Sequence, residues 1–129
     1  MTLRFLLDTN TISEPLRPVP NPAILKRLRE HEAEIGIAAP AWHELLFGCR
    51  RLPPSRKREA IEAYLMGTVR ANFPILAYDH RAADWHATER ARLVTEGKTP
   101  PFLDGQIAAI AHVADLVLVT WETSRASPV

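Results

Sequence analysis

Several acidic residues stand where a parallel α/β sheet would place its chemistry. Asp8 and Glu122 each follow a short apolar run that is typical of a buried strand. Glu44 lies one turn into a predicted helix, and Asp104 begins another. Because the carboxyl ends of parallel strands meet at one edge of a sheet, these carboxylates are expected to converge there. In a partly dry cleft they would repel one another unless a cation neutralised them.

The donor types indicate which cation that would be. Oxygen ligands without a cysteine or histidine cluster suit Mg²⁺ or Mn²⁺ better than Zn²⁺. Such an ion keeps several waters, orients an attacking water and neutralises charge on phosphoryl oxygens. The pattern therefore predicts metal-assisted hydrolysis of a phosphodiester bond.

Each acid also has a structural interpretation. Asp8 and Asp104 could be helix N-caps, and Glu44 could be solvated on an exposed helix face. Asp79 and Asp84 are predicted to be structural rather than ligands. Three histidines lack the spacing of metal ligands and are predicted to have core or surface roles. These are His43, His86 and His112.

The elements that must position these residues alternate along the chain. Short apolar runs at 3–7, 35–39, 74–78 and 116–119 predict strands. Between them, helices are predicted to begin at Asn21-Pro22, at Pro40, after Pro53-Pro54, at Arg81 and at Asp104. Strands that alternate with amphipathic helices favour an α/β fold around a mainly parallel sheet.

Length and composition limit the alternatives. The 129 residues support one domain over 1–129, since a second core would need roughly 100 more. Apolar residues make up 47% and charged residues 24%, which excludes a disordered chain. Cys49 is the single cysteine, so no intramolecular disulfide can form and a cytoplasmic location is expected. A net charge of +1 argues against wholesale coating of nucleic acid, and neither a membrane span nor a signal peptide is predicted.

Five sequence blocks stand in order at ordinary spacings. They are LLDTNTISE (6–14), AWHELLFG (41–48), ILAYD (75–79) with Ala82-Ala83 after it, DGQIAAIA (104–111) and LVT (118–120). Together they resemble the PIN-domain proteins, specifically the VapC-type toxins of bacterial type II toxin–antitoxin pairs. The resemblance runs from Leu6 to about Thr123, which is nearly the whole chain.

That resemblance implies a three-layer α/β/α sandwich with a central sheet of four to five strands. It also implies a Mg²⁺- or Mn²⁺-dependent endoribonuclease that inhibits translation by cutting RNA. A cognate antitoxin would silence it, in a homodimer or a hetero-oligomer. Asp8, Glu44 and Asp104 match the family's catalytic acids and metal ligands, and Asn10 and Thr120 match polar residues that support them.

The tail from about residue 121 departs from the family pattern. Arg125 stands where a fourth acid is expected, and Glu122 stands where asparagine is usual and could supply the missing oxygen ligand. A truncated reading frame is one interpretation, so the alternative function is a catalytically impaired PIN-like module that only binds antitoxin or RNA. An aspartyl-phosphate enzyme of the haloacid-dehalogenase type would need a second acid at position 10, where this chain has Asn10.

Basic residues cluster around Pro53-Pro54 and are the candidate RNA contacts. Binding of phosphates there would make the affinity fall steeply with salt. A solvated helix–helix connection and a docking surface for an antitoxin segment are the alternatives. The members of this basic cluster are Arg50, Arg51, Arg56, Lys57 and Arg58, with Arg4, Arg17 and Arg81 as further candidates near strand ends.

Overall fold

The computed structural model describes residues 2–120 and contains a four-stranded sheet with helices packed against it. The strands are β1 (Phe5–Leu7), β2 (Ile35–Ala38), β3 (Ile75–Leu76) and β4 (Val117–Val119). The helices are α1 (Thr9–Ile12), α2 (Pro22–Glu30), α3 (Ala39–Arg50), α4 (Arg56–Tyr64), α5 (Arg70–Asn72), α6 (His80–Thr95) and α7 (Phe102–Ala114). Short 3₁₀ turns cover Glu14–Leu16 and Glu32–Glu34, and a wide turn of π type, Leu65–Val69, joins α4 to α5.

All strand pairs in this sheet are parallel, and the spatial order is β3-β2-β1-β4. Leu7 lies in register with Ile37 on one side and with Val119 on the other. The central strands are buried and include the fully buried Leu6, whereas Val117 on the edge strand β4 is exposed. The predicted parallel α/β sheet is therefore confirmed.

The strand order also places the helices. The chain steps from β1 to β2 and on to β3 in one direction, and then returns to add β4 on the far side of β1. Parallel crossovers are right-handed, so the two directions of travel put helices on opposite faces of the sheet. The resulting three layers match the predicted sandwich. The direction reverses between β1 and β4, and the carboxyl ends of these two strands therefore border a crevice.

Several helix starts follow the capping chemistry of their sequence. The Asn21 side chain accepts a hydrogen bond from the Ala23 amide at 2.9 Å, and Asp79 Oδ1 accepts one from the Ala82 amide at 3.0 Å. These bonds satisfy amides that the first helical turn leaves without partners. Asp79 is thus a helix cap, which is a structural role of the kind predicted for it. The carboxylate of the buried Glu14 accepts a hydrogen bond from the backbone N–H of Asn21 at 2.9 Å and holds the start of α2.

Some element boundaries differ from the prediction. Helix α7 begins at Phe102, so Asp104 is its third residue rather than its cap. The extended backbone of Pro101 lets the helix begin directly after the proline pair, because the restriction that proline imposes acts on the residue before it. The predicted strands are slightly too long, since a strand ends where its neighbour stops pairing and not where the apolar run stops.

The helix predicted to begin after Pro53-Pro54 is not regular along its whole length. It begins as α4 and continues into the wide turn Leu65–Val69. Regular helical spacing would place Leu65, Thr68 and Val69 on one inward face, but only Leu65 and Val69 are buried and Thr68 is exposed. A π turn inserts an extra residue per turn and rotates the face that follows it, so regular helical spacing misplaces Thr68.

The core lies between the sheet and the apolar faces of the helices. Ile107, Ile110 and Ala111 of α7 are buried with Leu6 and Ile37 of the central strands. This is the inward face that the spacing of α7 predicts. Across residues 2–120, no helix has the length and apolar character that a membrane crossing requires.

Candidate functional site

A cavity of about 580 Å³ opens at the carboxyl ends of β1 and β4, where the sheet reverses its direction of growth. One end of the cavity is polar and is lined by Asp8, Asn10, Asp104 and Thr120. Another part of the lining, the aromatic end, contains Trp85, His86, Leu93 and Phe102, which lie on α6 and at the start of α7. The structure thus brings four sequence-predicted site residues to a single cavity at the expected edge of the sheet.

Asp8 is held rigidly by the start of α1. Its amide donates to the Val119 carbonyl at 3.1 Å, which anchors it to β4. Its Oδ1 accepts hydrogen bonds from the Thr11 amide at 2.8 Å and from the Thr11 hydroxyl at 2.7 Å. Within residues 2–120 no hydrogen bond uses Oδ2. Asp8 is therefore a helix cap and a half-buried cavity acid at the same time, because the cap occupies only one of its oxygens.

Asp104 reaches the same cavity from the first turn of α7. The turn carries amides without helical partners and the positive end of the helix dipole, which favour a carboxylate at this position. Asp104 is exposed, and in the described part of the chain it forms no ion pair. Its carboxylate is therefore available to a ligand.

Glu44 is the predicted site residue that the structure does not bring to the cavity lining. It lies on α3, which packs against α1 and α7, and its side chain is exposed. Within residues 2–120, no set of three acidic, histidine or cysteine side chains is arranged to hold a metal ion. Glu122 and Arg125 lie outside the described residues. A third ligand for the polar end of the cavity therefore stays a prediction.

His86 joins α6 to α7 behind the polar end of the cavity. It is buried, and its Nδ1 shares a hydrogen bond with the Tyr78 hydroxyl at 2.8 Å. Its Nε2 faces the α-carbon of Gly105, so closely that a β-carbon there would lie 2.2 Å away. Burial, and to a smaller extent the charge of Arg90, lowers the pKa of His86. Of the core and surface roles predicted for the histidines, His86 has a core role, and it seats the turn that carries Asp104.

The contribution of α6 to the cavity lining was not predicted from the sequence. The lining residues of this helix fall at positions 85, 86, 89, 90 and 93, which is the spacing of one helix face. Trp85 was predicted to pack; it is half-buried and stacks on His112 with ring centroids 4.6 Å apart. The helical periodicity of aromatic and basic residues in α6 was the available signal, but it also fits an ordinary half-buried helix.

The basic cluster lies at the α3–α4 connection and does not line the cavity. Arg50 Nε lies 3.5 Å from Glu62 Oε1, and Arg58 Nη1 donates to the Leu52 carbonyl at 2.9 Å. Two members of the cluster therefore hold the connection together. The three others are exposed, and they are Arg51, Arg56 and Lys57.

The further basic candidates near strand ends all have acidic neighbours. Arg4 Nη1 lies 3.1 Å from Glu34 Oε2, and it precedes β1, so it lies at the edge of the sheet opposite the cavity. Arg17 Nη1 lies 4.0 Å from Glu14 Oε1. Arg81 Nη2 lies 3.3 Å from Asp79 Oδ2.

Comparison with known proteins accounts for this arrangement. The chain matches the PIN domain family over residues 5–123. It is 35% identical over 121 residues to Toxin FitB of Neisseria gonorrhoeae, covering 92% of this chain and 87% of that protein. It is 31% identical over 122 residues to VapC ribonuclease Y4jK of Sinorhizobium fredii, again covering 92% of this chain and 87% of the relative. The crystal structure of FitAcB from Neisseria gonorrhoeae superposes with a TM-score of 0.83 at 34% identity, covering 92% of this chain and 88% of that one. Sequence, fold and the position of the cavity agree, and the chain belongs to the PIN domain family.

Proposed function

We propose that this chain is the toxin of a type II toxin–antitoxin pair and acts as a divalent-metal-dependent endoribonuclease. The observation that carries the proposal is the convergence of Asp8 and Asp104 on one cavity at the reversal point of the sheet. The similarity to proteins named Toxin FitB and VapC ribonuclease Y4jK supports the same activity. A ribonuclease that attacks RNA of its own cell requires a protein that holds it inactive, so the proposed partner is a cognate antitoxin and the proposed location is the cytoplasm.

The residues of the polar end fit a hard divalent cation. Mg²⁺ is usually bound through one or two carboxylates, with water and substrate phosphate completing its shell. Asp8 Oδ2 has no hydrogen bond within residues 2–120, and Asp104 is exposed on the same cavity, so the carboxylate oxygens that such an ion needs are present. When bound, the ion would supply an activated water and neutralise charge on the phosphoryl oxygens.

The chain's own contribution is to position these oxygens before the substrate arrives. The hydrogen bonds from Thr11 fix Asp8 Oδ1 and so hold the carboxylate in one orientation. Oδ2 can then bind a ligand without further loss of side-chain freedom. Asn10 and Thr120 border the same space and can orient water or phosphate oxygens there. Glu44 on α3 is proposed as the third acid, and Glu122, which lies outside the described residues, is proposed as an additional oxygen ligand.

A substitution of Asp8 tests the activity. Asp8→Asn keeps the oxygen that accepts from Thr11 and removes the negative charge, so the fold should persist while cleavage falls by roughly 100-fold or more, the scale of a group that stabilises a transition state. Asp84→Asn is the matched control, since Asp84 is exposed on α6 and does not line the cavity. The measurement is the rate of cleavage of labelled RNA with Mg²⁺ or Mn²⁺ and with EDTA. Undiminished cleavage by Asp8→Asn would remove Asp8 from the mechanism.

The second candidate is a catalytically impaired module that only binds antitoxin or RNA. It is favoured by the lack of a three-ligand arrangement within residues 2–120. Calorimetric titration with Mg²⁺ and Mn²⁺ separates the two candidates. Binding heat that disappears in Asp8→Asn supports the nuclease, and no binding above background supports the impaired module.

The exposed part of the basic cluster is proposed as a secondary contact for RNA phosphates. Arg51→Gln and Lys57→Gln should each reduce the dependence of RNA affinity on salt, because each removes one cation that displaces counterions. Binding isotherms at several salt concentrations measure this. A salt dependence that does not change would assign these residues to the solvated connection.

A further inference from the structure

The aromatic end of the cavity contains an exposed ring beside a cation that has no ion-pair partner among residues 2–120. Phe102, the first residue of α7, is 51% exposed although it lines a concave surface. The guanidinium carbon of Arg90 lies 5.0 Å from the centre of the Phe102 ring, and the buried His86 ring lies 4.9 Å from it at 52°. The Phe102 ring is thus supported by two side chains of α6 and still keeps about half of its surface accessible.

Arg90 differs in this respect from its neighbours Glu89 and Arg92 on the same helix, which pair with each other. Glu89, which also lines the cavity, is tied to Arg92 by a hydrogen bond and an ion pair. Arg90 forms no ion pair with any residue in the described range. Its guanidinium group lies over the face of the Phe102 ring instead. A cation over an aromatic ring stays available for a second, planar or anionic partner.

The position of this pair indicates the partner. Asp8 and Asp104 line the same cavity as Phe102 and Arg90, and Asp104 is only two residues from Phe102 along α7. The base of a nucleotide is joined to its phosphate through a single sugar, so a phosphate at the polar end brings a neighbouring base into the same cavity. Bases in single-stranded RNA stack on aromatic rings and on arginine planes, and the stacking tolerates any base because every base has a π-face.

We propose that Phe102 and Arg90 form a base-stacking subsite for the nucleotide next to the phosphate that a divalent ion would hold at Asp8 and Asp104. The inference rests on the proposed ribonuclease function and adds the place where an unpaired base is held. It commits the cavity to single-stranded RNA. Docking of a protein side chain, as from an antitoxin, is the competing occupant that the test must separate.

The test uses a short single-stranded oligoribonucleotide that carries 2-aminopurine, whose fluorescence falls when it stacks. Titration is carried out at low salt with Ca²⁺, a cation that carboxylate oxygens also bind, and gel electrophoresis checks that the RNA stays intact, so that binding is read separately from cleavage. The fluorescence of the 2-aminopurine oligonucleotide should fall on binding to the wild-type chain. An oligonucleotide with an abasic site at that position should bind more weakly by roughly 5- to 100-fold.

Substitutions then assign the stacking surface. Phe102→Leu should weaken binding by roughly 5- to 100-fold and abolish the fluorescence change. Phe102→Tyr should keep the wild-type affinity and the wild-type fluorescence change, because tyrosine retains the aromatic ring. Arg90→Gln should weaken binding and lower the salt slope by about one unit. Phe47→Leu is the matched control, because Phe47 is also an exposed aromatic residue, at 56%, but lies on α3 away from the cavity lining.

The outcomes are separable from those of the proposed function. If RNA is cleaved but neither Phe102→Leu nor the abasic site alters binding, the subsite is wrong and the nuclease stands. If no cleavage or metal binding is detected but the Phe102-dependent fluorescence change persists, the subsite stands as an RNA-binding feature and the nuclease is wrong. If Phe102→Leu leaves RNA binding unchanged but prevents binding of a purified antitoxin, the cavity is a protein docking site and the proposal is overturned.

Discussion

Replacing Gly105 with alanine tests how closely α7 is seated against α6 and what holds Asp104 in place. A β-carbon at Gly105 would lie 2.2 Å from Nε2, 2.8 Å from Cδ2 and 3.1 Å from Cε1 of His86. The His86 ring is 5% exposed, and its Nδ1 is held by the Tyr78 hydroxyl at 2.8 Å. The ring cannot move away without breaking that hydrogen bond or displacing the helix.

The expected change in the free energy of unfolding follows from three opposing contributions. Overpacking a well-filled interior costs about 1–3 kcal/mol. Loss of the hydrogen bond between Tyr78 and His86 would cost about 1 kcal/mol more. Alanine is favoured over glycine inside a helix by about 1 kcal/mol. Gly105→Ala should therefore destabilise the chain by about 1–3 kcal/mol.

Urea unfolding followed by far-ultraviolet circular dichroism measures this change, with Gly48→Ala as the matched control. Gly48 lies inside α3, and a β-carbon there would have no neighbour within 4 Å, so alanine should stabilise the chain by up to about 1 kcal/mol. In a His86→Ala background the clash is absent, and Gly105→Ala should become neutral or stabilising. The reasoning is refuted if Gly105→Ala stabilises the wild-type chain, or if its cost is the same with and without His86.

Other measurable consequences follow from the buried and capping groups. Because burial lowers the folded-state pKa of His86, the unfolded chain binds the proton more readily, so stability should decline as the pH falls below about 6.5. In His86→Gln this part of the decline in the urea midpoint should disappear, and parallel curves for the two proteins would contradict the assignment. The Tyr64 hydroxyl donates to the Ile12 carbonyl at 2.7 Å, and burial raises its pKa to about 12. Tyr64→Phe should lower the free energy of unfolding by about 1 kcal/mol, and a change within experimental error would mean that water replaces the bond. Asn21→Ala removes the side-chain bond to the Ala23 amide and should cost about 1 kcal/mol in the same assay, which an unaltered midpoint would disprove.

The architecture of this chain could be predicted because its signals are local. Short apolar runs alternate with helices whose first residues satisfy free amides, as Asn21 and Asp79 do. Such signals depend on a few neighbouring residues and identify elements without any knowledge of their partners. The resemblance to PIN-domain proteins rested on the same strand-end and helix-start residues, and the family match confirms it.

Boundaries and side-chain orientation depended on contacts that local sequence does not contain. The predicted strand at 74–78 retains only Ile75 and Leu76, because pairing with the neighbouring strand β2 extends no further. Thr68 was placed inward by regular helical spacing and is exposed because of the wide turn. Glu44 was expected to converge with the other acids, but the packing of α3 leaves it exposed and outside the cavity lining.

The sequence by itself determined which residues follow the strands and begin the helices, and hence that Asp8, Asn10, Asp104 and Thr120 would lie at one edge of the sheet. Only the tertiary structure decided what faces them, since the cavity wall on α6 comes from residues distant in sequence from Asp8. A strand end is fixed by the direction of the chain, whereas the neighbour of a side chain is fixed by how whole helices pack against the sheet.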